Sequence, residues 1–541
     1  MALLAGFGVL LGLVGGGAAF VVVRLVGLIS NLALLHRVGF DLPNLDHYHP
    51  GASLVAVAVA GGLAVVALAR WSPVIRGHGI PESLEAIVLR ESRIRPRVLV
   101  AKPLSAAIAM GTGGPFGAEG PIIVTGGCVG SLLGQVVTVS PAERRILLAT
   151  GAAAGMAGVF ATPVAAVILA FELLTFERSL RSLLPLVLAC SIATELHYLL
   201  IGGRPLFAAE GIHAVGGEQL PLFVLLGAAA GLLAVVIDKG LSGFEKLFEH
   251  SPIPPAWHPV VGAVAFALIG LAVPGSLSVG YWAITDAVNG RFLLGAAAVL
   301  FAAKLGSWWI SLASNTSGGT LAPIFLVGAT MGEVVGIGFE RLFPSLHVQP
   351  AAFALVAMGV TFGTAARALL TGAVFALEVT GAYDLVVPML LALGVAELVA
   401  EAFLDERVMT DRLARRGLRV ELDSQVDPLR RAVAGQAMDP LPRGTLAPGL
   451  PTIRWDAFLR DALDVAIRDP ATHLVVVDQG RPVGVLPRAT LERALDRQLA
   501  DDTLQPPTLG SVRRSRRARR SQADRPGGKD PQGSEAGGAS A

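Results

Sequence analysis

Apolar residues in this chain come in long blocks instead of alternating with polar ones. Residues 2–23 (ALLAGFGVLLGLVGGGAAFVVV), 52–69 (ASLVAVAVAGGLAVVALA) and 222–237 (LFVLLGAAAGLLAVVI) are three such blocks, with others across 258–274 and 351–403. Each approaches the roughly 20 residues that a helix needs to cross hydrocarbon. The pattern predicts an all-α polytopic membrane protein. The first block lacks a basic start and outruns the about 7–15 apolar residues of a secretory signal, so it reads as a first spanning helix.

The blocks stop near residue 404. From 419 to 500 the pattern is that of a small soluble α+β module, and HLVVVDQGRPVGVLP (473–487) has the alternation of strand, turn and strand. From 501 to 541 apolar residues are scarce. RRSRRARR (513–520) leads there into a Gly/Ser-rich mixture with no core pattern, so a disordered basic tail is expected.

Composition sharpens this picture. Of 541 residues 53% are hydrophobic and only 16% charged, against about 25% charged in soluble domains. The net charge of +2 says little, but the arginines of RESRIRPR (90–97) and of the tail cluster on segments that the positive-inside rule assigns to the cytoplasm. Cys128 and Cys190 both lie in apolar blocks. Neither a disulfide framework nor a metal site is expected from them.

The chain also repeats itself. Counting from Pro121, glycines fall at +5, +9 and +13 (Gly126, Gly130, Gly134), and counting from Pro323 they fall at +5, +9 and +13 again (Gly328, Gly332, Gly336). LLATGAAAGMAG (147–158) is answered by LVAMGVTFGTAA (355–366), and the apolar runs that follow end in Glu172 and Glu378. A glycine at every fourth position gives a helix a smooth face for close packing in lipid. Both stripes start just after a segment broken by Gly and Pro. Paired broken segments at matching positions point to a transporter's binding site, where half-helix N-termini meet. Those termini carry partial positive charge and free N–H groups, so the site they imply is for an anion.

Between Lys102 and Glu143 the only charged residue is Glu119, in GPFGAEGP (114–121). A carboxylate at the start of a broken helix can occupy the anion site itself and leave when protonated or displaced. The alternative is a structural carboxylate that caps the helix. The equivalent place in the second half is Leu321, so this charge belongs to one repeat only.

With GHGIPE (77–82) as a third broken-helix start, the set GHGIPE, GPFGAEGP, ATGAAAGMAGVFATPVAAVILAFEL and GGTLAP resembles the CLC family of chloride channels and proton-coupled anion antiporters over residues 1–418. The resemblance implies an inverted repeat, a homodimer with one anion pathway per subunit, and Glu119 as the gating, proton-carrying glutamate. By the same resemblance the anion meets Gly77, His78, Gly79, Ile80 and Pro81; Gly117, Ala118, Gly120 and Pro121; and Gly319, Thr320, Leu321 and Ala322. Three positions depart from the family pattern. His78 stands where a serine is usual and either faces the ion or caps a helix, Leu321 stands where a phenylalanine is usual, and Met409 stands where a tyrosine closes the inner side. The inner glutamate of many antiporters aligns with Leu173. Glu172, one place earlier, is either a substitute relay or a structural carboxylate.

Residues 435–497 resemble a single CBS module, with Thr490 where the ribose-binding Asp would stand, so nucleotide binding is not expected. No cofactor, metal or nucleic acid is expected either. The function implied is transport of chloride or a similar small anion, by proton antiport or through a proton-gated channel, in an inner (plasma) membrane with the module cytoplasmic. An intramembrane enzyme would need paired carboxylates, H-E-x-x-H or a Ser/His set, none of which stands in the apolar blocks. A cation or solute carrier would need several ionisable residues within the spans, and only Glu119 lies inside an extended charge-free stretch beside the repeat signals.

Overall fold

The computed structural model describes residues 2–404 without 76, 78, 138, 140, 176–178 and 204; 407–409; 434–441; and 449–493 without 456, 458, 470 and 479. His78 and the tail from 501 lie outside the described residues. The chain divides into two compact units, Met1–Ser424 and Gln425–Ala541.

Among its described residues the first unit is built of helices joined by loops. Its described helices are α1 (Ala2–Leu35), α2 (Ser53–Trp71), α3 (Ile80–Leu89), α4 (Val98–Gly111), α5 (Glu119–Val136), α6 (Pro141–Phe160), α7 (Pro163–Leu169) and α8 (Leu180–Leu200), then α9 (Leu220–Glu249), α10 (His258–Ala272), α11 (Tyr281–Val288), α12 (Leu294–Ala313), α13 (Leu321–Leu342), α14 (Pro350–Ala366), α15 (Leu369–Thr380) and α16 (Val386–Glu401). Among the described residues seven helices are long and apolar enough to cross a membrane, and several shorter apolar ones lie between them. The short ones follow from the sequence. Pro81, Pro163 and Pro350 open helices, where a missing N–H costs nothing.

The first eight helices are answered by the second eight, and the relation is a twofold one. Helix α2 packs on its counterpart α10, α7 on α15, and α5 touches α13. Twofold symmetry requires that a contact from residue i to residue j be matched by one from the equivalent of j to the equivalent of i. Several pairs obey this. Gly117 N–H donates to Gly319 O at 3.1 Å and Gly319 N–H to Gly117 O at 2.9 Å, an antiparallel bridge between equivalent residues. Lys102 Nζ donates to Ile75 O and Gly77 O, while Lys304 Nζ donates to Ser276 O and Ser278 O. The inverted repeat therefore runs through the whole unit, beginning well before the segments in which the glycine stripes show it.

The stripes work by letting backbones touch. Helix α5 lies on α6 and α13 on α14. A Cβ on Gly130 would stand 1.9 Å from Leu147 O, and one on Gly332 would stand 2.4 Å from Phe353 O. Backbone cannot yield as a side-chain tip can. Gly130→Ala should therefore cost about 1–3 kcal/mol of overpacking, read as a lowered unfolding temperature in detergent. Gly17→Ala, where an added methyl meets no atom within 4 Å, should leave that temperature unchanged.

In the second unit, β1 (Thr452–Arg454) pairs parallel with β2 (His473–Asp478), which pairs antiparallel with β3 (Arg481–Pro487). Helix Leu459–Arg468 joins β1 to β2 and packs Leu459, Ala462, Leu463 and Ala466 with Leu474, Val476 and Leu486. Parallel strands need such a crossover.

Candidate functional site

Three helices begin at one place near the middle of the first unit. The loop before α5 and the loop before α13 are joined by the Gly117–Gly319 bridge, and Gly77 before α3 bridges Ser317. Gly79, with φ of +108°, lies so close to α5 that an added Cβ would stand 2.5 Å from the Gly120 backbone. Only glycine fits there, both in conformation and in space. Lys102 is fully buried and fastens the chain ahead of α3 through the Ile75 and Gly77 carbonyls; Ser105, one turn on, bonds Ser317 at 3.0 Å.

Glu119 occupies the point of convergence. Its side chain is buried, and Oε1 accepts from Ala322 N–H, in the first turn of α13, at 2.9 Å. The carboxylate therefore lies at the start of its own helix and against the start of the opposed one, where two helix dipoles favour negative charge. Oε2 is buried without a hydrogen-bond partner. The cradle is made of glycines: a Cβ on Gly117 would fall 2.0 Å from Oε2, and one on Gly319 2.7 Å from Oε1. The carboxylate thus rests on the Ala322 N–H with no side chain between it and the two loops.

The structure brings together most of the residues singled out in the sequence. Gly77, Gly79, Ile80, Pro81, Gly117, Ala118, Gly120, Pro121, Gly319, Thr320, Leu321 and Ala322 all belong to these three helix starts or the loops leading to them. Met409 is fully buried in the main apolar core.

Glu172 is placed elsewhere. It sits in the middle of the π-helical turn that continues α7 and caps the start of α15: its oxygens accept from Leu370 N–H at 3.0 Å, Thr371 N–H at 2.9 Å and Thr371 Oγ1 at 2.6 Å. Glu378, in the last turn of α15, returns the cap to α7 through Val164 N–H and Ala165 N–H. The two form a reciprocal clasp across the twofold axis. Leu173 is buried in the core. Glu172→Ala should remove about 1–3 kcal/mol of stability, visible as a lowered unfolding temperature. A Glu172→Gln variant that lost proton flux with no change in that temperature would contradict the capping role.

Sequence reasoning also missed buried charge. Lys102, Lys304 and Glu333 are fully buried, and none of the three is among the candidate site residues read from the sequence. A buried ammonium is costly unless its protons find acceptors, and the two lysines find backbone carbonyls. A signal was present: Lys102 precedes Glu119 by the same 17 residues that separate Lys304 from Leu321. Glu333 Oε1 accepts from Phe292 N–H at 2.8 Å, fastening the chain after α11 much as Ser131 Oγ, which accepts from Ile94 N–H, fastens the chain after α3.

Beside the start of α3 a cavity of about 370 Å³ is lined by Pro81, Val124, Asn315, Arg90, Arg93 and Arg95, with Glu82 and Glu85. Glu85 is paired with Arg90. Arg93 is paired with Glu91, which leaves Arg95 and Glu82 as the lining charges outside these pairs.

These features define a multi-pass integral membrane protein with an inverted repeat whose broken helices converge on an anion-attracting centre. Residues 56–401 match the family model described as voltage gated chloride channel, and the chain belongs to this, the CLC, family. It is 28% identical over 372 residues to the H(+)/Cl(-) exchange transporter ClcA of Vibrio campbellii, covering 67% of this chain and 80% of that one. The ClcA exchanger of Cronobacter sakazakii is 29% identical over 367 residues, covering 66% of this chain and 78% of its own. Among solved structures, a slow cyanobacterial Cl−/H+ antiporter superposes with a TM-score of 0.66 at 25% identity, covering 76% of this chain and 96% of its own. A eukaryotic CLC transporter shares the fold with a TM-score of 0.66 at 20% identity, over 90% of this chain and 97% of its own.

Proposed function

We propose that this protein moves chloride or a similar small anion across a membrane in exchange for protons, with Glu119 as both gate and proton carrier. The observation that carries this reading is the carboxylate itself, held in a glycine cradle on Ala322 N–H at the meeting of two helix N-termini. Ionised, it competes with the anion for that place; protonated, it loses its charge and its claim on the site. The exchange activity printed for the ClcA relatives and for the cyanobacterial antiporter supports the same reading.

A second reading, a proton-gated channel, is favoured by one observation. The inner position reads Leu173, fully buried, and the neighbouring Glu172 is engaged in capping α15. Reversal potentials in reconstituted liposomes under a pH gradient separate the two. An exchanger reverses at a potential displaced by the proton gradient, while reversal at the chloride equilibrium potential, unmoved by pH, overturns exchange in favour of the channel.

Around this centre, the arginine-lined cavity beside α3 serves as the cytoplasmic mouth, in keeping with the basic run 90–97. The protein works as a homodimer in an inner membrane surrounded by lipid, with residues 419–500 as a cytoplasmic, CBS-like module that does not bind adenosine nucleotides. His78 tunes the pH profile where it faces the ion, because imidazole changes charge near about pH 6–7.

A further inference from the structure

One buried polar group at the start of α11 has no partner. Tyr281 is the first residue of α11, set by Gly280 at φ +76°, and its hydroxyl oxygen is buried without a hydrogen bond. A buried hydroxyl left unpaired is costly, so such a group in a transport site points to a ligand that comes and goes. The ring is held rigidly: Phe207 meets it edge-on with centroids 5.4 Å apart, and Phe160 lies at 6.0 Å. Phe160 packs on Phe375 and Phe375 on Phe325, each with centroids 4.9 Å apart, and Phe325 stands one turn beyond Leu321 on α13. The aromatic chain thus ties Tyr281 to the helix start that binds Glu119.

The surroundings favour an anion. Lys304 Nζ lies within 3.5 Å of where a Cβ on Gly280 would be, and it gives two hydrogen bonds, to Ser276 O and Ser278 O. Both Lys304 and Tyr281 are within electrostatic range of Glu119. The carboxylate itself has Oε2 buried and unpaired. A neutral hydroxyl donor and a buried cation therefore lie within electrostatic range of a carboxylate that must leave for transport to proceed.

We propose that the Tyr281 hydroxyl is a ligand of the transported anion, donating its proton to the ion once the Glu119 carboxylate has left the site. This rests on the anion-transport reading above. It also supplies the side-chain hydroxyl that His78 and Met409 do not. A single O–H donor favours a compact, strongly hydrated anion such as chloride over a diffuse one such as nitrate, because the donor replaces part of the lost hydration.

The test is Tyr281→Phe in the full chain, which removes the hydroxyl and keeps the ring. Chloride affinity by calorimetry in detergent should fall roughly ten-fold, the size expected for one hydrogen bond to a charged group. The chloride-to-nitrate flux ratio in liposomes should fall with it. The unfolding temperature without chloride should stay level or rise, since an unpaired buried hydroxyl has gone. Unchanged chloride affinity and flux ratio in a folded Tyr281→Phe would overturn the proposal while leaving anion transport intact. Absence of anion binding and flux in the unaltered protein would overturn both.

Discussion

Glu119→Gln should carry chloride at least as fast as the unaltered protein while moving no protons, and its flux should no longer respond to pH. The isosteric amide keeps the shape and can still accept from Ala322 N–H, but it loses the charge. Hydrogen bonds to a charged acceptor are about twice as strong as neutral ones, and the dipoles of α5 and α13 no longer hold the group. The side chain then yields to the anion at every pH and has no proton to carry. Parallel chloride and proton fluxes from liposomes read both effects. A pH dependence that survives in Glu119→Gln would show that another group gates the pathway.

Gly117→Ala should open the same gate by steric means. The added methyl would stand 2.0 to 2.3 Å from the carboxylate atoms of Glu119. These are the far end of a flexible side chain, and Gly117 is not among the glycines with positive φ. The backbone can keep its path while the carboxylate is expelled. Chloride flux is expected to rise and its pH dependence to flatten, with the unfolding temperature little changed. Gly319→Ala makes the contrast, because its methyl would meet Gly117 O at 2.6 Å and Gly120 N at 2.8 Å. Backbone atoms of the site itself must then move, and flux should be lost. Equal behaviour of the two variants would contradict the cradle as described.

Much of this site was legible in the chain as written. Apolar blocks of spanning length dictated helices, because backbone groups in hydrocarbon must be satisfied within the segment. Glycines spaced by four marked the α5 and α13 faces, since only hydrogen there admits a carbonyl such as Leu147 O. Glu119 stood out because an isolated carboxylate between two Gly-Pro breaks has no local partner. These are local signals, and each is set by the residue and its near neighbours along the chain.

What the sequence could not decide was set across the twofold axis. Glu172 and Glu378 look alike as the ends of apolar runs, and only the fold shows each carboxylate on the other half's helix start. In the sequence Lys102 only bounds a charge-free stretch, and Lys304 carries no signal of its own. Tertiary structure buries both and aims them at carbonyls lying more than twenty residues earlier in the chain. Glu119 finds its partner, Ala322, 203 residues further along the chain, because the site is made where two inverted halves meet. A pattern of residues along one half fixes which groups are available, while the symmetry that pairs the halves fixes which of them touch.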